Sequence, residues 1–174
     1  MNPTEELTTP STPPVTRIAE VDLTEAQTLL NRYQLHLNVV DINQAIPGSF
    51  WGDEEAGLIA DQLYIRPDTP LHSLLHEACH YICMDNKRRS QLHTNAGGTS
   101  DEENAVCYLQ ILLSDHFTQF SKAKMMQDMN SWGYNFMLGS SEAWFKEDAE
   151  DARQWLIKHK LINAANQPSY QLRD

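Results

Sequence analysis

The sequence predicts an α+β fold: a small antiparallel sheet packed on a motif-bearing helix and a second ligand-bearing helix, with a helical C-terminal part. Three observations predict it. Residues 76–80 read His76-Glu77-Ala78-Cys79-His80, an H-E-x-x-H pattern inside a stretch of helical periodicity. Runs rich in branched and aromatic residues precede it, broken by Pro and Gly. Helical periodicity then resumes near residue 101 and dominates to about residue 163.

The elements follow in chain order. Residues 1–16, rich in Thr, Pro and Glu, read as a disordered tail. A short helix is expected over Glu20–Tyr33, with Val21, Leu23, Ala26, Leu29 and Leu30 on one face. Leu35, Leu37, Val39, Val40 and Ile42 mark a strand stopped by Pro47-Gly48. Phe50 and Trp51 begin a possible second strand, and Gly57 to Ile65 a further one ended by Pro67. The motif helix follows, with Thr69 expected as N-cap and Pro70 at the first helical position. A polar loop containing Asn95, Gly97 and Gly98 leads to a helix over Asp101–Phe117. Residues 17–120 thus form the expected core and 121–163 a helical subdomain packed on it. In that subdomain Trp144, Phe145, Ala149, Ala152, Trp155 and Leu156 give one stripe. Residues 164–174 read as a C-terminal tail.

Composition narrows the function. A chain of 174 residues suits one domain and can bury a core without cross-links. A net charge of −11 leaves no basic stripe to neutralise phosphates, so no nucleic-acid partner is expected. The basic run Lys87-Arg88-Arg89 reads as a solvated helix end. No segment approaches the length of a membrane span, and the N-terminus lacks the order of a signal peptide, so no membrane partner and a cytoplasmic location are expected. Cys79, Cys83 and Cys107 fit reduced, buried thiols rather than a disulfide framework.

The pentapeptide carries the chemistry. Four residues along a helix advance about 6 Å and turn about 400°, so His76 and His80 share a face and can share one metal ion. Glu77 lies about 100° round from His76, placed to act on a water beside the metal as general base. Seven His and twelve Glu in this chain give only about 0.02 chance matches to the pattern, so composition alone does not account for it. A catalytic zinc takes three protein ligands. The short-spaced three-histidine variant is excluded, because Cys83 and Asn86 stand where it needs Gly and His. A carboxylate on the next helix is therefore expected, and Glu102 and Glu103 are the candidates. The helical wheel aligns Glu102 with Ala105, Val106, Leu109, Leu112 and Leu113, the presumed inward face, where a carboxylate needs a partner. Glu103 falls beside Gln110 and Ser114, and also completes an S-x-x-E capping box with Ser100. Glu102 is accordingly the favoured third ligand, with Glu103 the alternative.

Leu74 to Ile82, the preceding strand ending Leu63-Tyr64-Ile65, and Glu102-x-x-Ala105 with Tyr108 and Leu112-Leu113 together resemble the ImmA/IrrE-type metallopeptidases of the gluzincin group, over about residues 57–115. Ala78-Cys79 within the pentapeptide, Val106 and Ser114-Asp115 depart from the usual pattern and mark a divergent member. The resemblance implies a zincin-like fold, Zn²⁺ held by His76, His80 and Glu102, and a cytoplasmic peptidase that cuts a protein substrate such as a transcriptional repressor. The expected activity is hydrolysis of a peptide bond with Glu77 as general base, the substrate lying extended along the strand that ends near Ile65. His72, Tyr81 and His93 are possible helpers. The alternative is a zincin-like adaptor that holds metal and grips a partner protein without turnover.

Overall fold

The computed structural model describes residues 14–50, 52–93 and 96–174. The expected tail up to residue 13, Trp51 and Asn95 lie outside them. Val15 and Thr16, read as the end of that tail, are held: Val15 is buried, Thr16 N donates to Asp128 Oδ2 at 2.9 Å, and its carbonyl accepts from Leu71 N at 2.9 Å.

A single 3-10 turn at Ile18–Glu20 leads into α1 (Leu23–Arg32), which starts where the Asp22 side chain accepts from Thr24 N. Its apolar face buries Ala26, Leu29 and Leu30. The chain turns at Gln34, whose φ is +59°, and enters β1 (His36–Val39). A long connection follows to β2 (Gly57–Ile59), and a tight turn at Ala60-Asp61 to β3 (Gln62–Ile65). The continuous strand expected over Gly57–Ile65 is thus a hairpin, and Phe50 lies in no strand.

The sheet corrects the antiparallel expectation. Its order is β1-β3-β2, with β2 antiparallel and β1 parallel to β3. The hairpin forces the first pairing. The long 40–56 connection carries the chain back across the sheet end, so β3 enters beside β1 in the same direction. β3 is therefore the central strand, and both its edges are occupied. It does not offer the edge along which a substrate was expected to lie.

α2 (Leu71–Cys83) begins after Thr69-Pro70, with Pro70 rather than Thr69 at the cap, where a missing N–H costs nothing. It is a core helix: Leu71, Leu74, Leu75, Ala78, Cys79, Ile82 and Cys83 are all buried. The short α3 (Asn86–Ser90) is capped by Asp85, which accepts from Arg88 N at 2.9 Å. α4 (Ser100–Leu113) is capped by Thr99, not Ser100, and packs along α2. A 3-10 turn at Ser114–His116 leads to α5 (Lys122–Trp132), α6 (Ser141–Glu147) and α7 (Glu150–Lys158). The stripe read as one helix from Trp144 to Leu156 is broken at Asp148-Ala149. It still buries Trp144, Ala149, Ala152 and Leu156 in the same core as α2 and α4.

Residues 164–174, expected as a tail, pack back on the core. Arg173 N donates to Ile82 O at 3.0 Å, and Tyr170 sits 5.7 Å from the Tyr33 ring and under the Arg32 guanidinium. Among the described residues no helix is long and apolar enough to cross a membrane. The result is an α+β fold in which a three-stranded mixed sheet and α4 flank α2, the helix that carries the pentapeptide.

Candidate metal centre

His76 and His80 lie one turn apart on α2, and their Nε2 atoms are 3.1 Å apart. A cation between them could take the lone pairs of both neutral imidazoles. The His76 tautomer follows from its other nitrogen: Nδ1 lies 2.9 Å from Gln110 Oε1, an acceptor, so Nδ1 carries the proton and Nε2 the lone pair. The third group is Glu103, whose Oε2 is 3.5 Å from His80 Nε2. The ligand atoms of His76, His80 and Glu103 all lie within 4.8 Å of one another. One ion about 2.0–2.1 Å from each nitrogen spans this spacing, so the donor set fits a divalent metal. His80 Nδ1 is buried without a hydrogen-bond partner.

Glu102 does not join the group, contrary to the expectation from the helical wheel. It is buried, as that wheel required, but arginines supply its partner. Arg88 grips it with two parallel hydrogen bonds, Nη1 to Oε2 at 2.7 Å and Nη2 to Oε1 at 3.0 Å, and Arg173 Nη1 adds a contact at 3.4 Å. The wheel argument failed because α4 is buried nearly all round: every residue from Ala105 to Leu113 is inside. Apolar periodicity cannot choose the metal-facing side of such a helix. The side that faces α2 carries Glu103 and Gln110, which the wheel had set apart from the inward face.

The basic run ends a helix as expected, but only Lys87 is exposed. Arg88 holds Glu102. Arg89 is itself buried and donates to the carbonyls of Tyr81, Ile82, Met84 and Arg173, closing the end of α2.

No family model, curated protein or solved structure matches this chain.

The site opens on a cleft of about 370 Å³ lined by Glu55, Ser73, His76, Glu77, Trp132, Gly133 and Tyr134. Glu77 therefore faces the same space as His76 of the candidate ligand group. Burial, reinforced by the charges of Glu55 and Glu103, pushes its carboxyl up to about 8. A cation in the adjacent cluster opposes that shift and favours the carboxylate. Burial holds His76 below the usual imidazole range and His80 well below it, which keeps both neutral and able to ligate.

Of the expected helpers, His72 is buried behind the site, with Nδ1 3.2 Å from the Tyr134 hydroxyl and Nε2 lacking a partner. Tyr81 stacks under the Arg89 guanidinium, away from the cleft lining. His93 makes a bridge to Ile59 at the sheet edge. Cys79, Cys83 and Cys107 are free buried thiols outside the ligand group, raised by burial, Cys107 to about 12.

The sequence missed Gln110 and Glu55, and it offered Trp132 and Tyr134 as groove-lining residues while favouring core packing for them. Gln110 ties together two of the three histidines of α2: it accepts from His76 Nδ1 and donates from Nε2 to the His72 backbone carbonyl at 3.0 Å. Tyr134 presents its ring edge-on to His76, centroids 5.6 Å apart. It reaches the site because Gly133 ends α5 at φ +103°, a left-handed cap that turns the chain inward. A polar stripe at 103, 107, 110 and 114 on an otherwise apolar helix was a signal for Gln110. Tyr134 and Glu55 reach the cleft only through long-range packing.

Proposed function

We propose that the protein is a zinc-dependent metallopeptidase that hydrolyses a peptide bond in a protein substrate, a divergent relative of the ImmA/IrrE-type enzymes. One observation carries the reading. A two-histidine, one-carboxylate ligand group lies between α2 and α4, and one of its members, His76, lines the same open cleft as the adjacent Glu77. His76, His80 and Glu103 would hold the ion. When bound, it supplies Lewis-acid chemistry, acidifying a water and polarising a carbonyl.

The chain's own groups supply the rest. Glu77 takes the proton of the attacking water on its carboxylate and returns it to the leaving amine nitrogen. Gln110 fixes the His76 ring. The Tyr134 hydroxyl, within 3.5 Å of Gln110 Nε2 and 3.2 Å of His72 Nδ1, is anchored at the cleft wall, where a peptide carbonyl can receive its proton in a hydrogen bond. A cation beside Glu77 would offset the burial that raises its carboxyl and favour the carboxylate, the form that takes the proton.

The test is metal content by elemental mass spectrometry beside hydrolysis of a quenched-fluorescent peptide library. About one zinc per chain is expected in the wild type and in Glu77→Gln and Glu102→Gln, with loss in Glu103→Ala. Hydrolysis is expected in the wild type and absent in Glu77→Gln. Stoichiometric zinc with no hydrolysis, and partner capture that Glu77→Gln leaves intact, would replace the enzyme by a metal-holding adaptor. No zinc in the wild type after reconstitution would overturn the reading.

A further inference from the structure

Glu55 is the cleft-lining group that this chemistry leaves unused. It stands just before β2, and its Oε1 accepts from Trp132 Nε1 at 2.9 Å. Its Oε2 is buried with no hydrogen-bond partner. A carboxylate oxygen left unsatisfied in a wall is costly, and such groups persist where a ligand completes them. Its surroundings say which ligand. The same wall carries the rings of Trp132 and Tyr134, and the Ser73 hydroxyl is already engaged by Ala56 N at 2.9 Å. A carboxylate framed by aromatic rings receives an alkylammonium or guanidinium: the rings take the stem and the face of the cation, the oxygen its hydrogen bonds.

The molecule contains a precedent. The Arg17 guanidinium lies 5.4 Å from the Trp132 ring centroid while bonding Glu54 Oε1 at 3.3 Å, the same ring-and-carboxylate pairing one residue away. A net charge of −11 adds a long-range field that concentrates basic peptides.

We propose that Glu55 is a specificity-determining residue of this cleft, binding a positively charged group of the substrate against Trp132 and Tyr134. The group is a lysine or arginine side chain near the scissile bond or a free amino terminus. This rests on the peptidase reading, because it takes the cleft to be a peptide site.

The test measures binding on the zinc-loaded full chain carrying Glu77→Gln, so that no probe is consumed. The probes are short alanine-based peptides labelled at the C-terminus. They carry lysine, arginine or norleucine at one scanned position, each with a free or an acetylated N-terminus, and are read by fluorescence anisotropy. A cationic peptide is expected to bind at least about 10-fold tighter than its norleucine, acetylated counterpart. Adding Glu55→Gln, which keeps the acceptor for Trp132, should reduce that ratio to near one and leave the neutral peptide's affinity within about 2-fold. Preference confined to acetylated lysine or arginine peptides assigns a side-chain subsite, and preference confined to free N-termini assigns an amine subsite. Equal binding of charged and neutral peptides, or a preference that survives Glu55→Gln, overturns the proposal while the peptidase reading stands. Binding of none of the peptides overturns both.

Discussion

Removing Arg88 should cost the fold more than removing the carboxylate it holds. Glu102 has a side chain only 3 % exposed, whereas Arg88 and Arg173 are 35 % and 22 % exposed. In Arg88→Ala the carboxylate stays inside with only Arg173 at 3.4 Å, close to the case of a buried charge stripped of its partner. That case costs about 3–5 kcal/mol, and the residual Arg173 contact places this variant near 3. In Glu102→Gln the two guanidiniums left behind reach water, and the loss should be about 1–2 kcal/mol. The pair Arg88→Met with Glu102→Leu, which removes both charges and keeps volume, should return to within about 1 kcal/mol of the wild type. Urea unfolding followed by circular dichroism measures all three. For a chain of this length, a loss near 3 kcal/mol lowers the melting temperature by about 6–12 °C. If Arg88→Ala were no less stable than Glu102→Gln, the carboxylate would be hydrated. The account of why it is not a metal ligand would then fail.

Further outcomes follow from the same geometry. Replacing Gln110 by Leu removes the acceptor that fixes the His76 ring and should weaken zinc affinity by about 10–100-fold, read by competition with a chromogenic chelator, with folding kept. A Cβ at Gly98 would lie 2.5 Å from the Glu102 carboxyl carbon, so Gly98→Ala should destabilise by about 1–3 kcal/mol in urea unfolding, and less in the Arg88→Met, Glu102→Leu background. Burial lowers His72 from its ordinary 6.5 to about 3, so the unfolded chain takes up a proton below pH 6.5 that the folded one refuses. Its contribution is complete above that pH and is lost as pH falls towards 3, the loss reaching about 2 kcal/mol by pH 5. In metal-free protein, the drop in unfolding free energy from pH 7 to pH 5 should be smaller in His72→Gln than in the wild type by about that amount. An equal drop in both would show that His72 takes up its proton while folded.

The parts of the fold legible in the sequence are those set by short-range geometry. The i, i+4 histidines and the apolar residues around them specify α2 and its shared ligand face whatever packs on them. The parallel pairing of β1 with β3 was not legible, because it joins residues about 26 apart through a connection with no pattern of its own. The wheel rule assumes a helix with a wet side, and α4 has almost none, so Glu102 and Glu103 were exchanged. The default for a basic run is a hydrated surface, but Arg88 and Arg89 find a buried carboxylate and four backbone carbonyls. Tyr134 and Glu55 come to the cleft from far-separated parts of the chain. Only assembly of the core puts them beside His76 and Glu77.

Successive residues of a helix point about 100° apart, so the direction of one side chain fixes the next. The guanidiniums that clasp Glu102 therefore act on α4 as a key acts on an axle. They stop its rotation at the angle that sends Glu103 towards the two imidazoles. The third corner of the metal group is set by charges that never touch the metal. Sequence drift at Arg88 would be felt twice, as lost stability and as a Glu103 carboxylate free to turn away from the two imidazoles.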